Sequence, residues 1–147
     1  MNIRPATSAD CAALAAIDRA GNPAPWSADQ FQTALNSRFD TVLLVEHQGR
    51  PAAFIVWQTV ADESELHLIA TAPESRRLGL AAALMQCWFE AAAAQSVRRL
   101  LLEVRAANLP AQNLYRRHGF TECGRRRDYY SLPDGTREDA VLMEKPC

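Results

Sequence analysis

Residues 65 to 86 read ELHLIATAPESRRLGLAAALMQ, and the character of the chain changes part-way along them. ELHLIAT is a β-rich apolar run. A short turn holding Ser75 and Gly79 follows, and then apolar residues recur on a helical stripe: Leu80, Leu84, Cys87 with Trp88, and Ala91. The next apolar run, residues 99–105, again has strand character. Two strands joined by one helix pack back on each other as a parallel pair. Strands 65–71 and 99–105 are therefore expected side by side and parallel.

Outward from this unit the signals are simpler. Residues 3–5 read as a strand, and Thr7-Ser8-Ala9-Asp10 caps a helix over 11–20 that Gly21-Asn22-Pro23 breaks. Ser27 caps a second helix carrying Phe31 and Leu35 on one face. Runs 41–46 and 52–60 flank a hairpin at Gln48-Gly49-Arg50-Pro51, and Asp62-Glu63-Ser64 reads as another turn. Toward the C-terminus come a helix over 110–118, a strand over 122–130, a turn at Pro133-Asp134-Gly135 and a closing strand over 140–144. The order β-α-α-β-β-β-α-β-α-β-β describes a mixed α+β domain on a central sheet. No repeat or linker divides it, so residues 1–147 read as one domain.

The net charge of -1 gives no general pull toward nucleic acid or membrane. No run reaches the roughly 18 apolar residues of a membrane span, and the N-terminus MNIRPATSAD has no signal-peptide pattern. Fifteen of the sixteen basic residues are Arg, and with Lys145 alone a catalytic lysine is nearly excluded. Cys11, Cys87, Cys123 and Cys147 are scattered without metal-ligand spacing, so no metal is expected and a reduced, cytoplasmic setting follows. Packing is the default role for Cys87 and Cys123.

The turn before the long helix has the makings of an anion site. A helix N-terminus offers unpaired N–H groups and the positive end of its dipole. Gly79 with Ala81, Ala82 and Ala83 lets a pyrophosphate approach the backbone, and Arg76 and Arg77 add charge. An ordinary strand–helix turn with solvated arginines is the alternative. Neither the GxGxxG nor the GxxxxGK[ST] nucleotide pattern is present.

LEVRAANLPAQNLYRRHGF, residues 102–120, places Glu103 inside an apolar strand and Tyr115 on the helix that follows. Proton transfer at a reacting centre needs a positioned acceptor and a positioned donor. Glu103 suits the first role, directly or through water. Tyr115 suits the second, its phenol ionising at about 10. Asn108 can cap the helix and reach a ligand from the same turn. Alternatively, Glu103 is a strand carboxylate paired with Arg105 or Arg125, and Tyr115 is core.

Two motifs carry a resemblance. Arg76-Arg77-Leu78-Gly79-Leu80-Ala81 resembles the [Q/R]xxGx[G/A] acetyl-CoA motif of the GNAT acyltransferases. The 102–120 segment resembles LEVRxSNxxAxxLYxxxGF of the RimI-type ribosomal-protein-alanine N-acetyltransferases, a bacterial GNAT branch. Pro25-Trp26-Ser27, Arg126 to Tyr130, and Arg137-Glu138-Asp139-Ala140 with Met143 extend it over nearly the whole chain. The resemblance implies a mixed, mostly antiparallel sheet with helices on both faces. It implies acetyl-CoA as cosubstrate, with Glu103 as proton acceptor and Tyr115 as donor. Ile69, Ala70, Thr71, Arg77, Leu78, Gly79, Leu80, Ala81, Ala82 and Asn108 would line the acetyl-CoA. Ala107, Leu78 and His67 depart from the usual residues at their positions.

The same resemblance implies an acceptor: the N-terminal alanine of a small-subunit ribosomal protein, attacked directly in a ternary complex, with no direct nucleic-acid or membrane partner. A monomer is the simplest state. Glu138-Asp139 and Asp62-Glu63 are candidate acids for a basic tail, or solvated turns. Trp26 and Tyr130 could wall the groove, or pack. His67 and His118 read as satisfied structural histidines. The rivals are a GNAT enzyme acting on lysine, a polyamine or a small molecule, and a non-catalytic acyl-CoA-binding module.

Overall fold

The computed structural model describes residues 1–147. Seven strands form one sheet in the order β1-β2-β3-β4-β5-β7-β6. They are β1 (Asn2–Pro5), β2 (Asp40–His47), β3 (Arg50–Val60), β4 (Glu63–Thr71), β5 (Arg99–Arg105), β6 (Thr121–Ser131) and β7 (Arg137–Pro146). Four helices accompany them: α1 (Cys11–Gly21), α2 (Ala28–Asn36), α3 (Leu80–Ala94) and α4 (Leu109–Arg117). The element order expected from sequence holds, and β4–β5 is the sheet's parallel pair. Its other neighbours run antiparallel.

Strand alternation divides the core between the two faces of the sheet. Ala53, Ile55 and Trp57 of β3 pack with Leu84, Met85 and Trp88 of α3 on one face, where Tyr115 and Phe120 also lie. Phe54 and Val56 pack with Leu14 of α1 and Phe31 of α2 on the other. Both helices of that second face begin as the sequence suggests. Thr7 and Asp10 form a capping box ahead of α1, and Ser27 and Gln30 form one at α2.

The parallel pair is shorter than the sequence implied. β4 and β5 pair only from Glu63↔Arg99 to Leu66↔Leu102, and then separate. The cause lies on the other side of β4. Trp57 of β3 faces Leu66 and Val56 faces Leu68, so His67 is an extra, bulged residue. A bulge bends its strand and sharpens its twist. Here it turns β4 away from β5 just where their pairing ends. The closed end is pinned: Trp88 Nε1 donates to Ser64 Oγ at 2.8 Å, and Ser64 also meets Thr59 Oγ1 at 2.9 Å.

Some local readings change. The turn after β3 lies at Ala61–Asp62, and Glu63 already belongs to β4. Of the cysteines read as packing, Cys87 is half-buried and Cys123 is exposed on β6, while Cys11 is buried. β6 is an edge strand, so most of its side chains face water.

Candidate active site

Past Leu66 and Leu102 the two parted strands leave a cleft of about 710 Å³. Leu66 to Thr71 form one lip, and Glu103, Val104 and Arg105 form the other. Its walls come from both faces of the sheet: Ile17, Asp18 and Trp26 from the α1–α2 side, and Ala81, Leu114 and Tyr115 from the α3–α4 side. The cleft therefore connects the two faces through the sheet. β4 stays paired with β3 up to Thr71, so its other edge meets the cleft without a partner strand.

On the α3–α4 side a second cavity of about 340 Å³ adjoins the first, sharing Thr71, Arg76, Arg77, Ala81, Leu114 and Arg117. It lies over the start of α3. Gly79 is the N-cap of that helix, in the left-handed region at φ 76°, and Arg77 adopts φ 67°. No side chain caps α3. Its first N–H groups are consequently free to hold an anion. Gly79, Leu80, Ala81 and Ala82 border this cavity, whereas Leu78 stands on the crest of the loop, 49% exposed, and lines neither cavity.

β5 alternates Leu100, Leu102 and Val104 into the core with Leu101, Glu103 and Arg105 toward the opposite side. Glu103 is partly buried, with 21% of its side chain exposed, and its ion-pair partner is Arg126 at 3.5 Å. Neither Arg105 nor Arg125 fills that role: Arg105 reaches Glu138 at 3.4 Å, and Arg125 reaches Glu122 and Asp139. Tyr115 enters the same cleft from α4, 6% exposed and packed edge-on to Phe120 at 6.1 Å. Burial first, and nearby Tyr130 second, push its phenol well above the ordinary value. Tyr115 is thus a group that keeps its proton.

The placement of α4 depends on two side chains. Asn108 lines the cleft and caps the helix, accepting from Ala111 N at 3.3 Å through Oδ1. Gln112 is buried and donates to the carbonyls of Arg105 and Ala106, at 3.1 and 2.9 Å. It fastens α4 to the end of β5, and so fixes Tyr115 relative to Glu103. Polarity alone did not mark it, because a surface Gln at that position would look the same.

The opposite mouth is more elaborate than sequence indicated. Trp26 and Tyr130 do line it. β6 slips its register between Arg126 and Tyr130, with Asp128 at φ 51°, and this re-aims Tyr130. Burial, then the charge of Glu103, pushes its phenol up to about 12. Asp18 of α1 is buried and accepts from Trp26 N at 2.8 Å, holding the 22–26 loop. Burial raises its carboxyl above the usual range. His67 lines the cleft with its ring edge-on to Trp26 at 6.4 Å. His118 does pack, against Phe89.

The acidic pairs serve elsewhere. Glu63 pairs with Arg99 at 3.3 Å at the closed end of the sheet, away from the cleft. Glu138 accepts from Ala107 N at 2.7 Å, and Asp139 from Asp128 N at 3.0 Å, so both hold loops. No three His, Cys, Asp or Glu side chains converge as a metal site requires. No helix is long and apolar enough to cross a membrane.

A split parallel pair with an uncapped helix at its mouth can take an extended ligand that ends in an anion, and the chain matches the acetyltransferase (GNAT) family over residues 11–120. The chain belongs to the GNAT family. It is an acetyl-CoA-dependent acyltransferase, the chemistry that family shares. Among its GNAT relatives, the ribosomal protein bS18-alanine N-acetyltransferase of Escherichia coli is 38% identical over 130 residues, 88% of this chain and 86% of that one. A crystal structure of the Escherichia coli enzyme of that activity agrees with a TM-score of 0.90 at 35% identity, covering 99% of this chain and 92% of the other. The ribosomal-protein-alanine N-acetyltransferase of Brucella melitensis gives 0.86 at 26% identity, each chain covered to 100%. Within this GNAT chain Arg117, in the last turn of α4, borders both cavities. Its place beside the start of α3 comes from the fold, which brings the end of α4 to the same cavity.

Proposed function

We propose that this acetyltransferase moves the acetyl group of acetyl-CoA to the N-terminal alanine α-amine of a small-subunit ribosomal protein, with residues 1–147 acting as one catalytic domain. The observation that carries the mechanism is the shared cleft: Glu103 and Tyr115, from two elements, line one passage through the sheet. The relatives' named activity supports the acceptor.

In this reading acetyl-CoA enters from the α3–α4 side. Its pyrophosphate rests on the amides of residues 77–82, with Arg76, Arg77 and Arg117 around it. The pantetheine arm pairs with the free edge of β4 at Ile69, Ala70 and Thr71. Asn108 spends Oδ1 on the cap and keeps its amide N–H groups for the ligand. The acceptor enters past Trp26 and Tyr130 and attacks the thioester directly. Glu103 takes a proton from the reacting nitrogen, and Tyr115 protonates the thiolate. An α-amine, ionising at about 7.7–8.0 against about 10.4 for Lys, is the easier nucleophile for a carboxylate base.

Incubation with acetyl-CoA, an Ala-initiated peptide and an N-blocked Lys peptide, followed by intact-mass analysis, tests the acceptor. Acetylation of the first alone is expected; preference for the second would overturn the reading. Gly79 tests the donor site. A Cβ there meets nothing within 4 Å, so Gly79→Ala adds only the strain of φ 76°, about 1–2 kcal/mol. Calorimetric titration should show acetyl-CoA binding weakened by roughly fivefold or more.

A further inference from the structure

The last paired residues of β4 and β5 are Leu66 and Leu102, so the first residues beyond the parting are His67 and Glu103. They stand on the two lips of the cleft where it begins. Leu66 and Leu102 both face the α3 core, and alternation turns Glu103 the other way. For His67, the bulged residue, the contact with Trp26 places it on that same side. Its imidazole has no hydrogen-bond partner within the chain, and no ion pair joins it to Glu103. A gap is thus left between the two groups. The charged and titratable side chains sharing this cleft with His67 are Asp18, Arg76, Arg77, Glu103, Arg105, Tyr115, Arg117 and Tyr130. Arg105 is engaged by Glu138, and Asp18 by Trp26 N and Asn22.

The chemistry at this point requires two proton losses from one nitrogen. An ammonium has three N–H bonds and the product amide has one. One proton must leave before attack, to free the lone pair. The second must leave the N⁺–H of the tetrahedral adduct. Of the two, one ends on the departing CoA thiolate and the other in solvent. One carboxylate handles both only if it is reset between them.

We propose that His67 is a second catalytic base, taking the first proton from the incoming ammonium while Glu103 takes the second. The imidazolium passes its proton to solvent at the acceptor mouth. Glu103 receives the proton of the adduct as its C–S bond breaks, and Tyr115 delivers its own to the thiolate before being reprotonated from Glu103. This assignment rests on the amine-acetylation reading above, and imidazole is the side chain suited to such exchange near neutrality.

The test is kcat/KM against pH for wild type, His67→Gln, His67→Phe and Glu103→Gln, using whichever amine the intact-mass comparison selects. A failed alanine acceptor therefore does not decide this question. An α-amine ionising near 8 is about one-tenth neutral at pH 7 and mostly neutral at pH 9. With an α-amine both His67 variants should accordingly lose about tenfold at pH 7 and converge on wild type by about pH 9; with a Lys amine, ionising at about 10.4, the loss should be larger and close only toward that pH. Glu103→Gln should keep its defect across that range. Acetyl-CoA affinity, unchanged in folded variants, separates chemistry from damage to the fold. A pH-independent ratio between wild type and both His67 variants, or no loss at pH 7, would overturn the proposal.

Discussion

Replacing Glu103 with Gln is expected to lower kcat by about 10²- to 10⁴-fold, the range that a positioned general base supplies. Gln keeps the shape and the hydrogen-bonding reach of the side chain, so β5 should retain its pairing with Leu142. Arg126 loses its partner at 3.5 Å, but with 53% of its side chain exposed it is readily hydrated. The loop proposed to hold the pyrophosphate lies on the other side of the sheet and touches neither residue. Acetyl-CoA affinity should therefore change little, which single-turnover kinetics with an independent binding titration would establish. A variant that turns over normally, or one that simply fails to bind acetyl-CoA, would remove Glu103 from the chemistry.

Tyr115→Phe should have the second-largest effect, a fall of about 10²-fold or more in the chemical step. Loss of the hydroxyl removes little packing, because the ring's contact with Phe120 at 6.1 Å remains. The fold should be nearly as stable as wild type. The sign of the pH effect is also determined. Burial raises the phenol's folded-state pKa, so the proton that Tyr115 donates is still present where an exposed tyrosine has begun to ionise, near pH 10. The basic limb of the wild-type rate profile should accordingly not fall at the ordinary tyrosine value. A limb that appears there, and that Tyr115→Phe abolishes, would contradict the burial argument.

Local periodicity carried the order of elements, and it carried them because each has a strong cap or turn of its own. Ser27 with Gln30, Gly79 and Gly119 each end or begin an element where the chain needs it. The parting of β4 from β5 was not legible. ELHLIAT reads as an unbroken strand, and a bulge at His67 depends on which β3 residue faces which β4 residue. Glu103 and Tyr115 were read together through the family pattern of the segment joining them, their residue types alone leaving ion pairing and packing open, and the fold brings both to one cleft. Asp18, Gln112 and Arg117 were not, because each acts on an element distant in the chain: the 22–26 loop, the end of β5, and the start of α3. The acidic pairs misled for a related reason. An acid beside a turn looks available until the strand that supplies Arg99, or the amide of Ala107, is seen to claim it.

The central claim is that acetyl-CoA lies in the parting of β4 and β5, with its pyrophosphate on the start of α3. Residue-resolved amide hydrogen exchange, with and without acetyl-CoA, tests it most directly. Slowed exchange should appear within Ile69, Ala70 and Thr71 and across Gly79 to Ala82, while the closed end of the pair around Ser64 and Leu100 stays as it was. Protection confined to other elements, with these amides unchanged, would contradict the account.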